Sequence, residues 1–120
     1  MKPTIETSVK GKISIQNKSI EYDFYINFQG EIIRRTKTNE KIEDASMHII
    51  GLDEAGFLYD PSINEMIIGS DSKDELKLSN EATDFFEEKK CKIKLLPLDE
   101  AITYWNRYEG YAVGLFHVTH

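Results

Sequence analysis

The sequence predicts an α/β domain in which an N-terminal antiparallel β-meander is joined to a small parallel βαβαβ layer, three layers in all. Three observations predict it. Apolar residues recur at every second position in the first half. They recur at helical spacing in "SNEATDFFEEKK" and "DEAITYWNRY" of the second half. Short apolar runs precede, separate and follow those two helical stretches, which is the order of a βαβαβ unit with parallel strands.

Taken in order, "GKISIQ" (Gly11 to Gln16) and "SIEYDFYINF" (Ser19 to Phe28) alternate, with Ile13 and Ile15, then Ile20, Tyr22, Phe24, Ile26 and Phe28, on one face. Asn17-Lys18 between them suits a tight hairpin because Asn tolerates positive φ. "NFQG" then turns the chain into "EIIRRT", a third strand of the meander. The cluster "RRTK", Arg34 to Lys37, reads as a solvated strand end, its charge offset by Glu40, Glu43 and Asp44. Thr38 to Asp44 is polar and loop-like, and "SMHIIG" reads as a short strand or extended segment. "LDEAGFLY" (Leu52 to Tyr59) reads as a brief helix stopped by Asp60-Pro61, since proline disfavours helical geometry in the residue before it.

"NEMIIG" (Asn64 to Gly69) is the next strand, and Ser79 or Asn80 can cap the helix that places Ala82, Phe85 and Phe86 on one face. "CKIKLL" follows as a strand. The second helix groups Ala101, Ile102, Trp105 and Tyr108, with Asp99 and Glu100 favourable at its N-terminal dipole. "YAVGLFHV" (Tyr111 to Val118) is apolar on both alternating faces, as a strand covered on both sides must be. The 120 residues contain no internal linker, repeat or low-complexity tract, so one domain, residues 1–120, is expected.

Fifteen Lys+Arg against twenty-one Asp+Glu give a net charge of -6, a mean field that repels phosphate backbones and anionic lipid surfaces. No nucleic-acid or membrane partner is therefore expected. "MKPTIETS" has no apolar signal core and no stretch approaches a membrane span, which predicts a soluble, cytoplasmic protein. Cys91 is the only cysteine, and its place in "CKIKLL" predicts a small buried apolar group rather than a reactive thiol.

In an open parallel sheet the ligand crevice lies beyond the carboxyl ends of the strands. Those ends bring together Gly69-Ser70-Asp71-Ser72, Leu96-Pro97-Leu98 and His117-Val118-Thr119-His120. A dinucleotide cradle does not fit, because Gly69 stands alone and the next helix begins about eight residues later. Ser70 or Ser72 with His117 or His120 and Asp71 supply the residue types of a hydrolytic triad, but no Gly-x-Ser-x-Gly elbow. Asp71, His117 and His120 could ligate a metal, although His117 and His48 read more simply as structural. Helical spacing assigns Trp105 and Tyr108 to the core, leaving Tyr104 and Arg107 on a neighbouring face to line a groove or partner surface.

The segments "GKISIQNKSIEYDFYINFQGEIIRR", "MIIGSD", "LKLSNEATDFFEEKKCKIKLLPLDEAITYWN" and "AVGLFHVTH" together resemble the Mth nine-three-eight-like domain family, over essentially Gly11 to His120. That family includes a mitochondrial respiratory complex one assembly factor and an adipogenesis-associated protein. The resemblance implies a compact three-layer α/β domain, no established enzyme activity, no known cofactor, and in some members a role in assembling or regulating other proteins. Members typically read Ile-Gly-Thr-Gly where this chain has Ile68-Gly69-Ser70-Asp71, and end in His-x-Thr-Cys where this chain has His117-Val118-Thr119-His120. After Pro97, relatives often show Thr-Pro where Leu98-Asp99 stands.

The expected function is a non-enzymatic binding or assembly domain for an unidentified protein partner or small molecule, without cofactor or metal. Its expected site is Gly69, Ser70 and Asp71 with Tyr104, Arg107, His117 and His120 around them. The alternatives are a small hydrolase or metal-dependent enzyme using Asp71, His117 and His120, and a homo-oligomer formed through the meander's exposed edge.

Overall fold

The computed structural model describes residues 3–9, 12–35, 49–70 and 76–118. Ten strands and three helices occur among these residues, in three sheets. An antiparallel sheet joins β1 (Ile5–Val9), β2 (Lys12–Ile15) and β3 (Lys18–Ile20). The central sheet has the order β5-β4-β10-β7-β9, from β4 (Phe24–Ile26), β5 (Ile32–Arg34), β7 (Glu65–Ser70), β9 (Lys92–Pro97) and β10 (Ala112–His117). The short parallel pair β6 (Ile49–Ile50) and β8 (Lys77–Leu78) completes the strands. Strand β10 runs parallel to β7 and antiparallel to β4, and β7 runs parallel to β9. The expected α/β class, with a meander and a parallel three-stranded layer, is therefore the observed one.

Every residue of β10 is buried, as its two-faced apolar pattern requires of a central strand. One face carries α3 (Leu98–Arg107) and the small sheet, with Ile13, Ile15, Phe24, Ile67, Trp105 and Phe116 at its core. The other carries α1 (Leu52–Leu58) and α2 (Asn80–Glu88), with Tyr25, Met66, Ile68, Phe86, Val113 and Leu115. Ser79 caps α2, its side chain accepting from the Ala82 N–H at 3.1 Å. Helix α1 ends before Asp60-Pro61 as the proline dictates. Cys91 is buried, and burial pushes its thiol up to about 11, which leaves it protonated at neutral pH.

Four local expectations need correction. The single strand expected over Ser19 to Phe28 is two: the chain leaves the small sheet after Ile20 and enters the central sheet at Phe24. The break at Glu21-Tyr22-Asp23 resets the alternation, so Tyr22 is exposed and all of β4, Tyr25 included, is buried. "EIIRRT" accordingly pairs with β4 in the central sheet rather than extending the meander. The β2–β3 turn falls on Gln16-Asn17, both at positive φ (53° and 63°), one residue earlier than expected. Finally, β1 had no counterpart in the sequence reading. It is held by tertiary contacts: Ile5 is buried, the Asn106 amide both accepts from the Ile5 N–H and donates to its C=O (each 2.9 Å), and the Trp105 indole donates to the Pro3 C=O.

Gly69 shows how tightly α3 lies on the sheet. A Cβ at this position would sit 2.8 Å from the Ala101 Cβ and 3.2 Å from Leu98 and Phe116. Gly69→Ala is expected to lower stability by about 1–3 kcal/mol through overpacking, read as an earlier midpoint in urea unfolding; an unchanged midpoint would mean that α3 can retreat freely.

Candidate functional site

Among the described residues, four of the five buried Asp, Glu, Arg and His side chains, Asp23, Arg35, Glu54 and His117, gather at one place, the carboxyl end of β7 and β10 on the α1 face of the sheet. Strand register builds a row there. Phe24 opposes both Arg34 and Phe116, so the next positions along, Arg35, Asp23 and His117, fall side by side. Ser70 is paired with His117 on the far side of β10. Arg35, Asp23, His117 and Ser70 therefore cross four adjacent strands or their immediate extensions, facing one way.

Arg35 is 2% exposed, and its guanidinium is paired on each side. Nε donates to Glu54 Oε2 at 2.6 Å, Nη2 to Glu54 Oε1 at 3.1 Å, and Nη1 to Asp23 Oδ2 at 2.9 Å. Nη2 also donates to the Ile49 C=O at 3.3 Å. This fork-on-carboxylate geometry is what a buried guanidinium requires, because an uncompensated charge in the core costs several kcal/mol. Burial alone would lower the Arg35 pKa, but the Glu54 hydrogen bonds and the charges of Glu54 and Asp23 outweigh it and raise it. The Tyr25 hydroxyl donates to Glu54 as well, and burial together with that carboxylate raises its pKa far above the usual phenol value.

Asp23 is the junction. Its Oδ1 accepts the Val118 N–H at 2.7 Å and its Oδ2 faces His117 Nδ1 at 2.6 Å. Burial would raise its pKa, yet the His117 and Val118 hydrogen bonds and the charges of His117 and Arg35 hold it below the ordinary carboxylate value. An ionised carboxylate only accepts, so the Nδ1 of His117 carries the hydrogen. That orientation commits one ring nitrogen to Asp23. Beyond it, the Ser70 Oγ is shielded from solvent and has no hydrogen-bond partner among the described residues.

Reading "RRTK" as a solvated strand end is thus wrong for Arg35, and Asp23, Tyr25, Arg35 and Glu54 were missed as members of the site. Arg34 behaves as expected of an exposed strand end, lying 4.5 Å over the exposed Tyr22 ring, whereas Thr36 and Lys37, with Glu40, Glu43 and Asp44, lie outside the described residues. Asp23 itself gave little signal, because it falls with Glu21 and Asn27 on the polar face of the alternating run.

The five expected site residues that the structure describes, Gly69, Ser70, Tyr104, Arg107 and His117, do not form one cluster. Ser70 and His117 adjoin, as the strand-end argument requires. Gly69 turns to the opposite face, where α3 occupies the space its hydrogen leaves. Asp71 and His120, with Ser72 and His48, lie outside the described residues. Tyr104 and Arg107 lie on α3, and the Tyr104 hydroxyl donates to the buried Glu65 at the opening of β7, roughly 17 Å along the strand from Ser70. That hydrogen bond, with burial and the Glu65 charge, pushes the Tyr104 phenol up to about 12. Lys94, Leu96, Asp99, Tyr104 and Arg107 line a separate shallow groove of about 510 Å³ between β9 and α3. Among the described residues no group of three or more His, Cys, Asp or Glu side chains could hold a metal ion. No helix there is long and apolar enough to cross a membrane.

No family model matches the chain, and no curated protein matches it. Solved structures do. The conserved hypothetical protein PH1505 from Pyrococcus horikoshii OT3 superposes with a TM-score of 0.80 at 22% identity, over 98% of this chain and 99% of that one. A protein described as MT938 gives 0.76 at 17% identity, over the same shares. A protein from Bordetella parapertussis gives 0.69 at 10% identity, over 98% and 96%. The chain has the fold of these proteins across their whole length.

The network makes two predictions. Arg35→Met strands the Asp23 and Glu54 carboxylates in the core and is expected to cost about 3–5 kcal/mol in denaturant unfolding; a loss below about 1 kcal/mol would contradict the pairing. Because the Asp23 pKa is depressed in the fold, its contribution is complete above the ordinary aspartate value of 3.8 and is lost as pH falls through the lower folded value. Asp23→Asn should therefore flatten the acid limb of the stability–pH curve; an acid limb identical to wild type would assign it to other carboxylates.

Proposed function

We propose that this protein is a non-enzymatic binding or assembly domain of the Mth nine-three-eight-like kind, working through the carboxyl ends of β7 and β10. The observation that carries this reading is the Ser70 hydroxyl, buried beside His117 and without a partner among the described residues, in a row whose other members are all hydrogen-bonded. Leaving a buried hydroxyl unsatisfied costs about 1–3 kcal/mol, a cost that a bound ligand or partner group removes by completing the bond. The fold shared with PH1505 and MT938, together with the order of "MIIGSD", "LPLDEAI" and "GLFHVTH" along the chain, supports the family assignment.

One observation favours an enzymatic alternative: Asp23, His117 and Ser70 stand on adjacent strands in the order carboxylate, imidazole, hydroxyl. Asp23, rather than Asp71, would then be the orienting carboxylate. The binding reading is preferred because Ser70 makes no hydrogen bond to His117 and Asp23 is shared with Arg35.

Ser70→Ala separates the readings. Removing an unsatisfied hydroxyl should leave stability unchanged or raise it by about 1 kcal/mol, while immobilised variant protein loses the partner or metabolite that wild type retains. Unaltered capture would remove Ser70 from the working surface. Covalent labelling of Ser70 by a fluorophosphonate, abolished by His117→Gln, would establish the hydrolase instead.

A further inference from the structure

The central sheet has two edges of different character. On one side it stops at β5, three residues long; on the other at β9, six residues long. The inner side of β9 is committed to β7 from Lys92 to Pro97, and just before that ladder the Lys92 N–H donates to the Asn64 C=O at 3.2 Å. Lys92 therefore turns its main chain toward β7. In a parallel ladder the N–H and C=O of one residue point to the same neighbouring strand and the direction alternates along the chain. Lys94 and Leu96 thus also bond inward, while the N–H and C=O of Ile93 and Leu95 point out of the sheet; the C=O of Pro97, the N-cap of α3, faces the first turn of that helix. No hydrogen bond among the described residues satisfies the four groups of Ile93 and Leu95. Leu95 is 44% exposed, so solvent reaches this edge.

The charge along the edge is opposite to that of the chain. In a protein of net charge -6, Lys89, Lys90, Lys92 and Lys94 fall within six positions, and both charged side chains of β9 itself are exposed lysines. Beside them runs the groove between β9 and α3. Lys94 lies 5.4 Å over the Tyr104 ring, and Arg107 continues the basic line at the end of α3, with Asp99 and Glu100 at the opposite end of that helix.

We propose that β9 is a docking edge for an extended acidic segment of a partner protein, which adds to the sheet as a sixth strand and lays alternate side chains against Lys94, Leu96, Tyr104 and Arg107. Main-chain bonds to Ile93 and Leu95 supply register-independent affinity, and the lysines supply selection. Lysines on an edge strand repel indiscriminate pairing. They disfavour a second copy of this chain in particular, because antiparallel pairing of β9 with itself gathers four lysines into one patch, whereas a Glu- or Asp-bearing strand pairs with them. The docking edge is distinct from the Ser70–His117 row, so the two readings fail independently.

A fluorescent peptide of alternating Glu and Val, with a Lys and Val peptide as control, tests the proposal by anisotropy at low salt and by backbone amide shifts. The Glu peptide is expected to bind with affinity that falls as salt rises, to shift the Ile93 and Leu95 amides first, and to bind about tenfold more weakly to a Lys92→Glu, Lys94→Glu double variant. Leu95→Pro deletes an outward N–H without removing a bond to β7, and should abolish binding in protein whose thermal melt remains cooperative. If that variant fails to fold, the charge reversal decides. Binding unaffected by the charge reversal, amide shifts confined to residues away from β9, no binding of the Glu peptide, or sedimentation showing that β9 instead pairs with a second copy would each overturn it.

Discussion

The Arg35 guanidinium is the constraint on which the other elements of this fold converge. A charge buried this deeply survives only if every donor finds an acceptor at once. Among the described residues its acceptors come from three parts of the chain: Glu54 on α1, Asp23 before β4, and the Ile49 carbonyl in β6. Asp23 passes the constraint to β10 through the Val118 N–H and His117. One side chain at the end of β5 thereby specifies where α1, β4, β6 and the carboxyl end of β10 meet. The apolar residues beneath supply the bulk driving force, but they are interchangeable in kind, and the polar row is not.

The same constraint shapes the candidate site. By fixing Asp23 as an ionised acceptor, Arg35 and Val118 determine that His117 turns its Nδ1–H toward β4. The strand register then sets Ser70 on the other flank of His117. Tyr25 and Arg35 share Glu54, so that carboxylate is satisfied from both sides. Among the described residues, what is left over at the end of this chain of commitments is the buried Ser70 hydroxyl beside the oriented imidazole, and the proposed recognition role rests on it.

Much of the fold was legible in the sequence because periodicity reports burial. The two-faced apolar run of β10, the helical spacing of Trp105 and Phe86, and the Ser79 cap all reflect local rules that the tertiary structure obeys. The split of "SIEYDFYINF" was not legible, since Tyr22 completes an apolar alternation that the chain abandons one residue later in favour of burying Asp23. Arg35 was illegible for a related reason: an arginine at a strand end is ordinarily solvated, and only partners 12 and 19 positions away reverse that. Of the site, the strand-end rule placed Ser70 beside His117, and it could not separate them from Tyr104 and Arg107, whose end of α3 lies toward the opposite end of the strands.

The most direct test of this account is a double-mutant cycle on Asp23 and Arg35, with Asp23→Asn and Arg35→Gln made singly and together and stabilities taken from denaturant unfolding. The account predicts a coupling energy of about 1–3 kcal/mol, because either change alone leaves the remaining charge uncompensated in the core. A coupling indistinguishable from zero would show that the two groups hold their places independently, and the buried row would lose its standing as the feature that organises the fold and the site.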